Sequence, residues 1–265
     1  MKTVFIRRPG RTLLAAVLLA AAVFAVLSHP AVVGVSGEAR ELPIYCVQRD
    51  DKTVALTFDA AWGNEDTQQL IDILGKYHVR ATFFVVGDWV EKYPESVKAL
   101  SEAGHEVMNH SDTHPHMSRL SREEMVAEIE ACSDKIEAVT GVRPTLLRPP
   151  YGEYDNTVIR TVRELGMEPI QWDVDSLDWK ELPAEEICRR VTERVRPGSI
   201  VLFHNAAPHT PEALPEIIET LIGQGYSFVP VSRLILDGDY TIDSSGRQCP
   251  CTPDDAGTAT LAGLL

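Results

Sequence analysis

The chain has 265 residues, and 44% of them are hydrophobic, which is enough for one large domain or two small ones with a substantial core. Its 39 Asp and Glu residues outnumber 25 Lys and Arg residues, so the formal charge is −14. A surface this acidic argues against nucleic acid as a partner and offers no attraction to anionic membranes or polymers.

The first 37 residues predict an export segment. Its charged residues are all basic: Lys2, Arg7, Arg8 and Arg11. They precede an apolar run over 13–27, and no acidic residue occurs before Glu38. This layout is typical of a secretory signal peptide or of an N-terminal membrane anchor. We therefore expect the rest of the chain outside the cytoplasm, either secreted or attached to the outer face of the cytoplasmic membrane.

After a predicted linker at 38–51, short apolar runs alternate with amphipathic segments over 52–236. The apolar runs predict seven strands, at 53–58, 81–86, 105–108, 145–148, 168–172, 199–203 and 227–230. This alternation predicts a parallel sheet with helices outside it. A complete eightfold barrel takes about 250 residues. The shorter segment therefore predicts an α/β fold built as a distorted or incomplete (β/α) barrel, with a flat doubly wound sheet as the alternative.

The C-terminal segment, 237–265, is rich in Gly, Ser, Thr and Asp, and this composition predicts disorder. It contains the motif Cys249-Pro250-Cys251. The five cysteines of the chain match no zinc-ribbon spacing, so they predict no structural metal site.

Reactive side chains follow the predicted strands, and the carboxyl ends of parallel strands carry the chemistry in both architectures. The side chains are Asp59, His110, His114, Arg148, Asp178 and His204. Two histidines four residues apart suit a divalent metal such as zinc, although an exposed His-rich loop would show the same spacing. Together the groups fit metal-assisted hydrolysis of an acyl bond.

Four segments carry a resemblance to a known family: FDAAWGNEDT, ATFFVVGDW, RPPYGEY and VDSLDW. From Lys52 to Ile235 the chain resembles the polysaccharide deacetylases, which contain the NodB-homology domain of carbohydrate esterase family 4. Within that family it looks most like the sporulation-associated PdaB-type proteins. The resemblance implies a hydrolase that removes N-acetyl groups from an aminosugar polymer of the cell wall, such as peptidoglycan. The predicted partner is this glycan, and no protein partner is implied.

The resemblance also implies a role for each matching catalytic residue. Asp59 matches the general base, and Arg148 matches the residue that orients it. His204 matches the general acid, and Asp178 matches the carboxylate that tunes it. The two matching metal ligands are His110 and His114.

Four further residues are predicted to contact the substrate: Tyr151, Trp179, Leu202 and Trp62. The resemblance places Tyr151 where the family uses a backbone N–H as oxyanion donor, and Leu202 in the pocket for the acetyl methyl group. The aromatic side chains of Tyr151, Trp62 and Trp179 are suited to forming walls for a sugar ring.

Ala60 departs from the family pattern, because most members have there a second aspartate that completes a His-His-Asp metal site. Two histidines alone would bind the implied zinc weakly, since catalytic zinc usually has three protein ligands. His116, Asp112, Asp66, water or a substrate oxygen would be needed to complete the shell.

The missing ligand keeps other functions open. One alternative is a non-catalytic or weakly active glycan-binding protein with the deacetylase fold. Another is a glycoside hydrolase that uses Asp59 and Asp178, whose carboxyl groups would then have to flank a sugar bond at about 5–9.5 Å.

Overall fold

The computed structural model of the chain describes Leu19 and residues 39–251. The predicted export segment at 1–37 therefore lies outside the described residues, except for Leu19. In the part of the chain that the structure describes, no helix is both long enough and apolar enough to cross a bilayer. The chain divides into the units Met1–Arg40 and Glu41–Leu265, and the fold below is that of the second unit.

Strands and helices alternate along this unit. The strands are β1 (Cys46–Val47), β2 (Thr53–Ala60), β3 (Thr82–Val85), β4 (Glu106–Asn109), β5 (Leu146–Leu147), β6 (Glu168–Pro169), β7 (Val174–Asp175), β8 (Ile200–His204), β9 (Ser227–Phe228), β10 (Tyr240–Ile242) and β11 (Arg247–Pro250). The helices are α1 (Thr67–Lys76), α2 (Gly87–Lys92), α3 (Pro94–Glu102), α4 (Arg122–Thr140), α5 (Asn156–Glu164), α6 (Ala184–Arg194), α7 (Thr210–Gly223) and α8 (Val231–Leu234). Three 3-10 helices span Met117–Arg119, Pro150–Gly152 and Asp178–Lys180.

One sheet positions the carboxyl ends of the strands. Its order is β6–β5–β4–β3–β2–β8–β7, with β9 paired to the start of β2, and every pair is parallel. All eight residues of β2 are buried, as expected for a central strand covered on both faces. The predicted distorted (β/α) barrel is confirmed, and each of the seven predicted strands is present. The two-residue strand β7 was not predicted.

The sheet is held by apolar packing around β2. The ring of Phe58 stacks on Phe83 at 4.8 Å and on Phe203 at 5.4 Å between ring centroids. Burying such a side chain contributes about 1.5–3 kcal/mol. Local chemistry sets both ends of the helix α4. Ser121 and Glu124 form a capping box at its start, and Gly141 ends it with a φ of 73°.

Residues 44–47 connect β6, at one edge of the curved sheet, with β8, the strand next to the other edge. Ile44 bridges to Ile170, just beyond β6, and Cys46 bridges to Ser199, just before β8. The Ile44 N–H donates to Pro169 O at 2.9 Å, and the Val47 N–H donates to Gly198 O at 2.9 Å. The predicted linker at 38–51 therefore contains a strand that helps to close the barrel.

The predicted disorder of the C-terminal segment is wrong for residues 240–250, which form β10 and β11. These strands and β1 make a second sheet in the order β1–β11–β10. Gln248 is fully buried, and its amide binds the backbone of Leu236, accepting from N–H at 2.8 Å and donating to C=O at 3.2 Å. Composition alone did not predict that this segment is ordered, because its structure depends on pairing with β1, about 200 residues earlier. Residues 252–265 lie outside the described residues.

Replacing Gln248 with Ala is expected to lower the free energy of unfolding by about 1–3 kcal/mol, because two partly buried backbone groups of Leu236 would lose their partners. Urea denaturation measures this loss. The control is Thr241→Ala on the exposed side of β10, expected to change the free energy by less than about 0.5 kcal/mol. Equal stability of the two variants would show that this sheet does not support the barrel.

Candidate active site

A buried ion pair lies at the carboxyl ends of β2 and β5. Arg148 is completely buried, and its Nη1 donates to Asp59 Oδ1 at 2.6 Å. Its Nη2 donates to Gln171 O at 3.1 Å, and the guanidinium lies 4.2 Å from the centroid of the Phe84 ring. These contacts fix the guanidinium, which therefore holds one oxygen of Asp59 in a defined place.

The charge state of Asp59 follows from its neighbours. Burial raises the pKa of this carboxyl, but Arg148, His110 and His204 together outweigh burial, so the pKa lies below its usual value of 3.8. Asp59 is therefore ionised at neutral pH. Its second oxygen, Oδ2, lies 3.6 Å from His110 Nε2 and remains available as a proton acceptor.

The loop that carries the two histidines follows β4 and is anchored to α4. Asn109 is fully buried; its Nδ2 donates to Ile129 O at 2.8 Å, and its Oδ1 accepts the Ser111 N–H at 2.8 Å. Glu128 accepts the N–H groups of Asp112 and Thr113 at 2.9 and 2.8 Å. Asn109 and Glu128 were not predicted as site residues, because neither belongs to a recognisable motif.

Both imidazoles are suited to donating a lone pair. His110 Nδ1 lies 2.7 Å from Arg148 O, which only accepts, so Nδ1 carries the proton and Nε2 faces Asp59. Burial lowers the pKa of His110. Burial, with His110 adding to it, lowers the pKa of His114 to about 4. The two ring centroids are 5.0 Å apart.

The side chains present do not form a complete catalytic zinc site. Among the described residues, no group of three or more His, Cys, Asp or Glu side chains is arranged to hold a metal ion. Ala60, at the family's third ligand position, is buried in the apolar core. A catalytic zinc usually takes three protein ligands, and the predicted ligands His110 and His114 would supply two.

The three candidate substitutes for the missing ligand have other partners. His116 Nδ1 lies 2.7 Å from Glu153 Oε2, and Asp112 forms an ion pair with Lys135 at 2.8 Å. Asp66 accepts the Ala206 N–H at 2.9 Å. None of the three joins His110 and His114 in a metal-binding group.

A second pair, the partly buried His204 and the buried Asp178, lies across the site at the end of β8. His204 Nδ1 is 2.8 Å from Asp178 Oδ1, while Asp178 Oδ2 accepts the His204 backbone N–H at 2.8 Å and the Thr210 hydroxyl at 2.7 Å. Burial lowers the pKa of His204, but Asp178 and, more weakly, Asp59 raise it, and the net pKa lies above 6.5. The imidazole is therefore well placed to hold and give up a proton near neutral pH.

These groups open onto a cleft of about 470 Å³. It is lined by Asp59, Ala61, Trp62, His110, His114, Tyr151, Gly152, Trp172, Asp175, Trp179, Leu202 and His204. All four predicted substrate contacts are among them. Arg148 and Asp178 lie behind the lining, in contact with Asp59 and His204. Asp175 and Trp172 were not predicted, although both belong to the segment WDVDSLDW, whose aspartates and tryptophans were the available signal.

The position of Asp178 argues against the glycoside hydrolase alternative. Its side chain is 1% exposed, does not line the cleft, and has both oxygens bonded to His204 and Thr210. A carboxylate in this position cannot act with Asp59 on two sides of a sugar bond, as a glycosidase requires.

The comparisons with known proteins agree with this geometry. Residues 47–170 match the family model for polysaccharide deacetylases. The chain is 30% identical to the peptidoglycan-N-acetylmuramic acid deacetylase PdaA of Bacillus subtilis, over 76% of this chain and 78% of PdaA. The chain belongs to the polysaccharide deacetylase family.

Two further members place the chain within the family. It is 41% identical to the peptidoglycan-N-acetylmuramic acid deacetylase PdaC of Bacillus subtilis, over 71% of this chain, and it spans only 40% of the length of PdaC. The structure of BA3943 from Bacillus anthracis, described as a pseudoenzyme of carbohydrate esterase family 4, is similar at a TM-score of 0.71 and 37% identity, over 72% of this chain and 68% of BA3943. A mutant of BA3943 is described as having restored enzymatic activity.

Proposed function

We propose that this polysaccharide deacetylase homologue is an amide hydrolase that releases acetate from N-acetylated aminosugars of a cell-wall glycan such as peptidoglycan. One observation carries the proposal. Asp59 and His204 are direct partners in the neighbouring parallel strands β2 and β8, so both side chains project from the same face of the sheet into one cleft. Each has a buried partner that sets the charge its role requires.

The proposed chemistry uses the residues of the chain as follows. The ionised Asp59 accepts a proton as a water molecule attacks the acetyl carbonyl carbon. The protonated His204 then gives its proton to the sugar nitrogen as the C–N bond breaks, so that acetate and the free amine leave. The backbone N–H of Tyr151 is the proposed donor to the oxyanion. Arg148 and Asp178 hold the base and the acid in place.

No step of this chemistry is assigned to a metal. The family implies a divalent ion, and His110 and His114 are the proposed ligands for it. They provide two neutral nitrogen donors, one fewer than catalytic zinc usually has. We further propose that the protein acts outside the cytoplasm and that an uncleaved segment 1–37 would attach it to the membrane. The proposed biological setting is sporulation. These proposals rest on the basic and apolar N-terminal pattern and on the resemblance to PdaB-type proteins.

The lining of the cleft favours a neutral sugar ring. Trp62, Tyr151 and Trp179 are each more than half exposed and offer apolar faces for stacking. The described lining residues include the carboxylates Asp59 and Asp175 but no Lys or Arg. The free lactyl carboxylate of a muramic acid residue without its stem peptide would be repelled there, so we expect N-acetylglucosamine to be preferred over such a residue, whereas PdaA and PdaC are named for the muramic acid residue.

Acetate release from N-acetylated peptidoglycan and from chitin oligomers tests the function. Mass spectrometry of the digested glycan then locates the free amine on one sugar or the other. Release at glucosamine confirms both the hydrolase activity and the sugar preference. Release at muramic acid contradicts only the sugar preference. No release from any glycan contradicts the hydrolase.

The incomplete ligand set favours one second candidate, a glycan-binding protein with little or no catalysis. Two histidines without a third donor, and the similarity to a described pseudoenzyme, are the observations behind it. Binding of chitin oligomers without acetate release, under the same conditions, would establish this function in place of hydrolysis.

The pH dependence of hydrolysis should follow the His204–Asp178 pair. His204 must be protonated, so kcat/KM is expected to fall as the pH rises through its pKa, which Asp178 keeps above 6.5. Asp178→Asn removes this opposite charge, and the basic limb should move down by about 1–3 pH units. The stability that the pair contributes is present below the unfolded pKa and is lost as the pH rises through the folded value.

The measurement is a pH series of kcat/KM for the parent chain and for Asp178→Asn. Glu181→Gln is the matched control, since Glu181 ends the same 3-10 helix and is exposed. A basic limb at the same pH in all three proteins would show that His204 is not the acid.

A further inference from the structure

The residue after His204 connects the strand β8 to the loop 61–63. Asn205 is 5% exposed, and its backbone N–H donates to Asp59 O at 3.1 Å. Its side-chain Nδ2 donates to Trp62 O and, at 2.8 Å, to Gly63 O. Its Oδ1 accepts the Ala61 N–H at 3.2 Å. One amide side chain therefore binds the backbone of three consecutive residues.

Other contacts fix the same loop. The buried Trp89 donates its Nε1–H to Gly63 O at 2.5 Å. Gly63 has a φ of 53°, and a Cβ at this position would lie 3.1 Å from Ala206 Cβ. Ala206 is itself held, because its N–H donates to Asp66 Oδ2 at 2.9 Å. The loop backbone is thus held from two sides, and its positive φ at position 63 favours glycine.

The side chain of Trp62, in the middle of this rigid loop, is not packed into the core of the fold. Trp62 is 63% exposed and lines the cleft, with its ring 5.4 Å from the His114 ring. A large apolar ring left in water on a rigid backbone is typical of a preformed binding surface, because ordering the loop before the ligand arrives removes that entropic cost from binding.

We infer that Asn205 is a positioning residue that holds Trp62 as a rigid stacking wall for a sugar ring in the cleft. It acts on glycan binding through the loop and not on proton transfer through His204. The inference rests on the proposed function for the identity of the ligand as an aminosugar oligomer. The nature of the contact also predicts which change disrupts it: Asn205→Asp keeps the shape but turns a carboxylate oxygen towards the two carbonyl oxygens of Trp62 and Gly63.

The test is a double-mutant cycle on Asn205→Asp and Trp62→Ala. For each protein, calorimetry gives the Kd of chitin oligomers, and acetate release gives KM and kcat. Each single variant is expected to raise Kd and KM about tenfold, a typical loss for one central aromatic contact, with a smaller change in kcat. Because Asn205 acts through Trp62, the double variant should bind no more weakly than Trp62→Ala alone.

The matched control is Asn64→Asp, the same chemical change on the residue that follows the loop 61–63. Asn64 Nδ2 donates to Ser96 Oγ at 3.0 Å, and the side chain is not part of the cleft lining. This variant is expected to leave Kd and KM unchanged. If Asn205→Asp does not fold, Trp89→Phe releases the other anchor of Gly63 and should raise Kd in the same direction.

Several outcomes overturn the inference: additive effects in the double variant, an unchanged Kd in Asn205→Asp, or no oligomer binding by the parent chain. A loss of kcat at constant Kd would also overturn it, because the residue would then act through His204. Oligomer binding that follows the expected pattern without acetate release would support the inference and contradict the proposed hydrolase, so the two failures are distinguishable.

Discussion

Acetate release is expected to fall by about 10²–10⁴-fold when Asp59 is replaced by Asn, because an amide cannot accept the proton of the attacking water. The expectation rests on an ionised Asp59 with a pKa below 3.8 and a free Oδ2 facing the cleft. Initial rates of acetate release from chitin oligomers measure the loss.

The substitution removes the charge of Asp59 and keeps the shape of its side chain. Asn keeps an oxygen acceptor for Arg148 Nη1, so the hydrogen bond can persist while the carboxylate charge is lost. Oligomer binding should remain, since the aromatic walls are untouched. Asp175→Asn is the control, because Asp175 also lines the cleft but its Oδ1 accepts the Leu177 N–H at 2.8 Å, and this variant should retain most of the hydrolysis. Full activity of the Asp59→Asn variant would exclude Asp59 as the base.

Arg148→Met is expected to lower the free energy of unfolding by about 3–5 kcal/mol, because it leaves a buried carboxylate without its ion partner. It should also raise the pKa of Asp59, since burial would then be opposed only by His110 and His204. In the parent chain the Asp59 contribution is present above the unfolded pKa and is lost as the pH falls through the lower folded value. Urea denaturation near pH 7 gives the loss.

The double variant Asp59→Asn/Arg148→Met separates charge from packing. With both charges removed, most of the lost stability should return, because replacing a buried ion pair as a whole is often nearly neutral. Hydrolysis should not return. If the double variant is as unstable as the sum of the two single variants, the ion pair is not the reason that Arg148 stabilises the fold.

Much of the candidate site could be predicted because parallel strands bring their carboxyl ends to one edge. Asp59, His110 and His204 each follow an apolar run, so the alternation pattern alone placed them on one rim. The motif VDSLDW likewise placed Asp178 and Trp179 at a strand exit. The absence of a third metal donor was also visible, because Ala60 has no ligating atom.

The sequence by itself predicted seven of the eight strands of the main sheet and the acidic charge balance, since these depend on local composition and periodicity. The family motifs supplied the candidate site residues. The resemblance implied the pairing of Arg148 with Asp59 and of Asp178 with His204, and the tertiary structure brings both pairs into contact. Only the tertiary structure decided the pairing of Asn205 with the loop 61–63. It also decided that the polar segment 240–250 pairs with β1. The physical reason is the same in each case: these contacts join residues far apart in the chain, and their geometry exists only once the sheet has curved and brought its ends together.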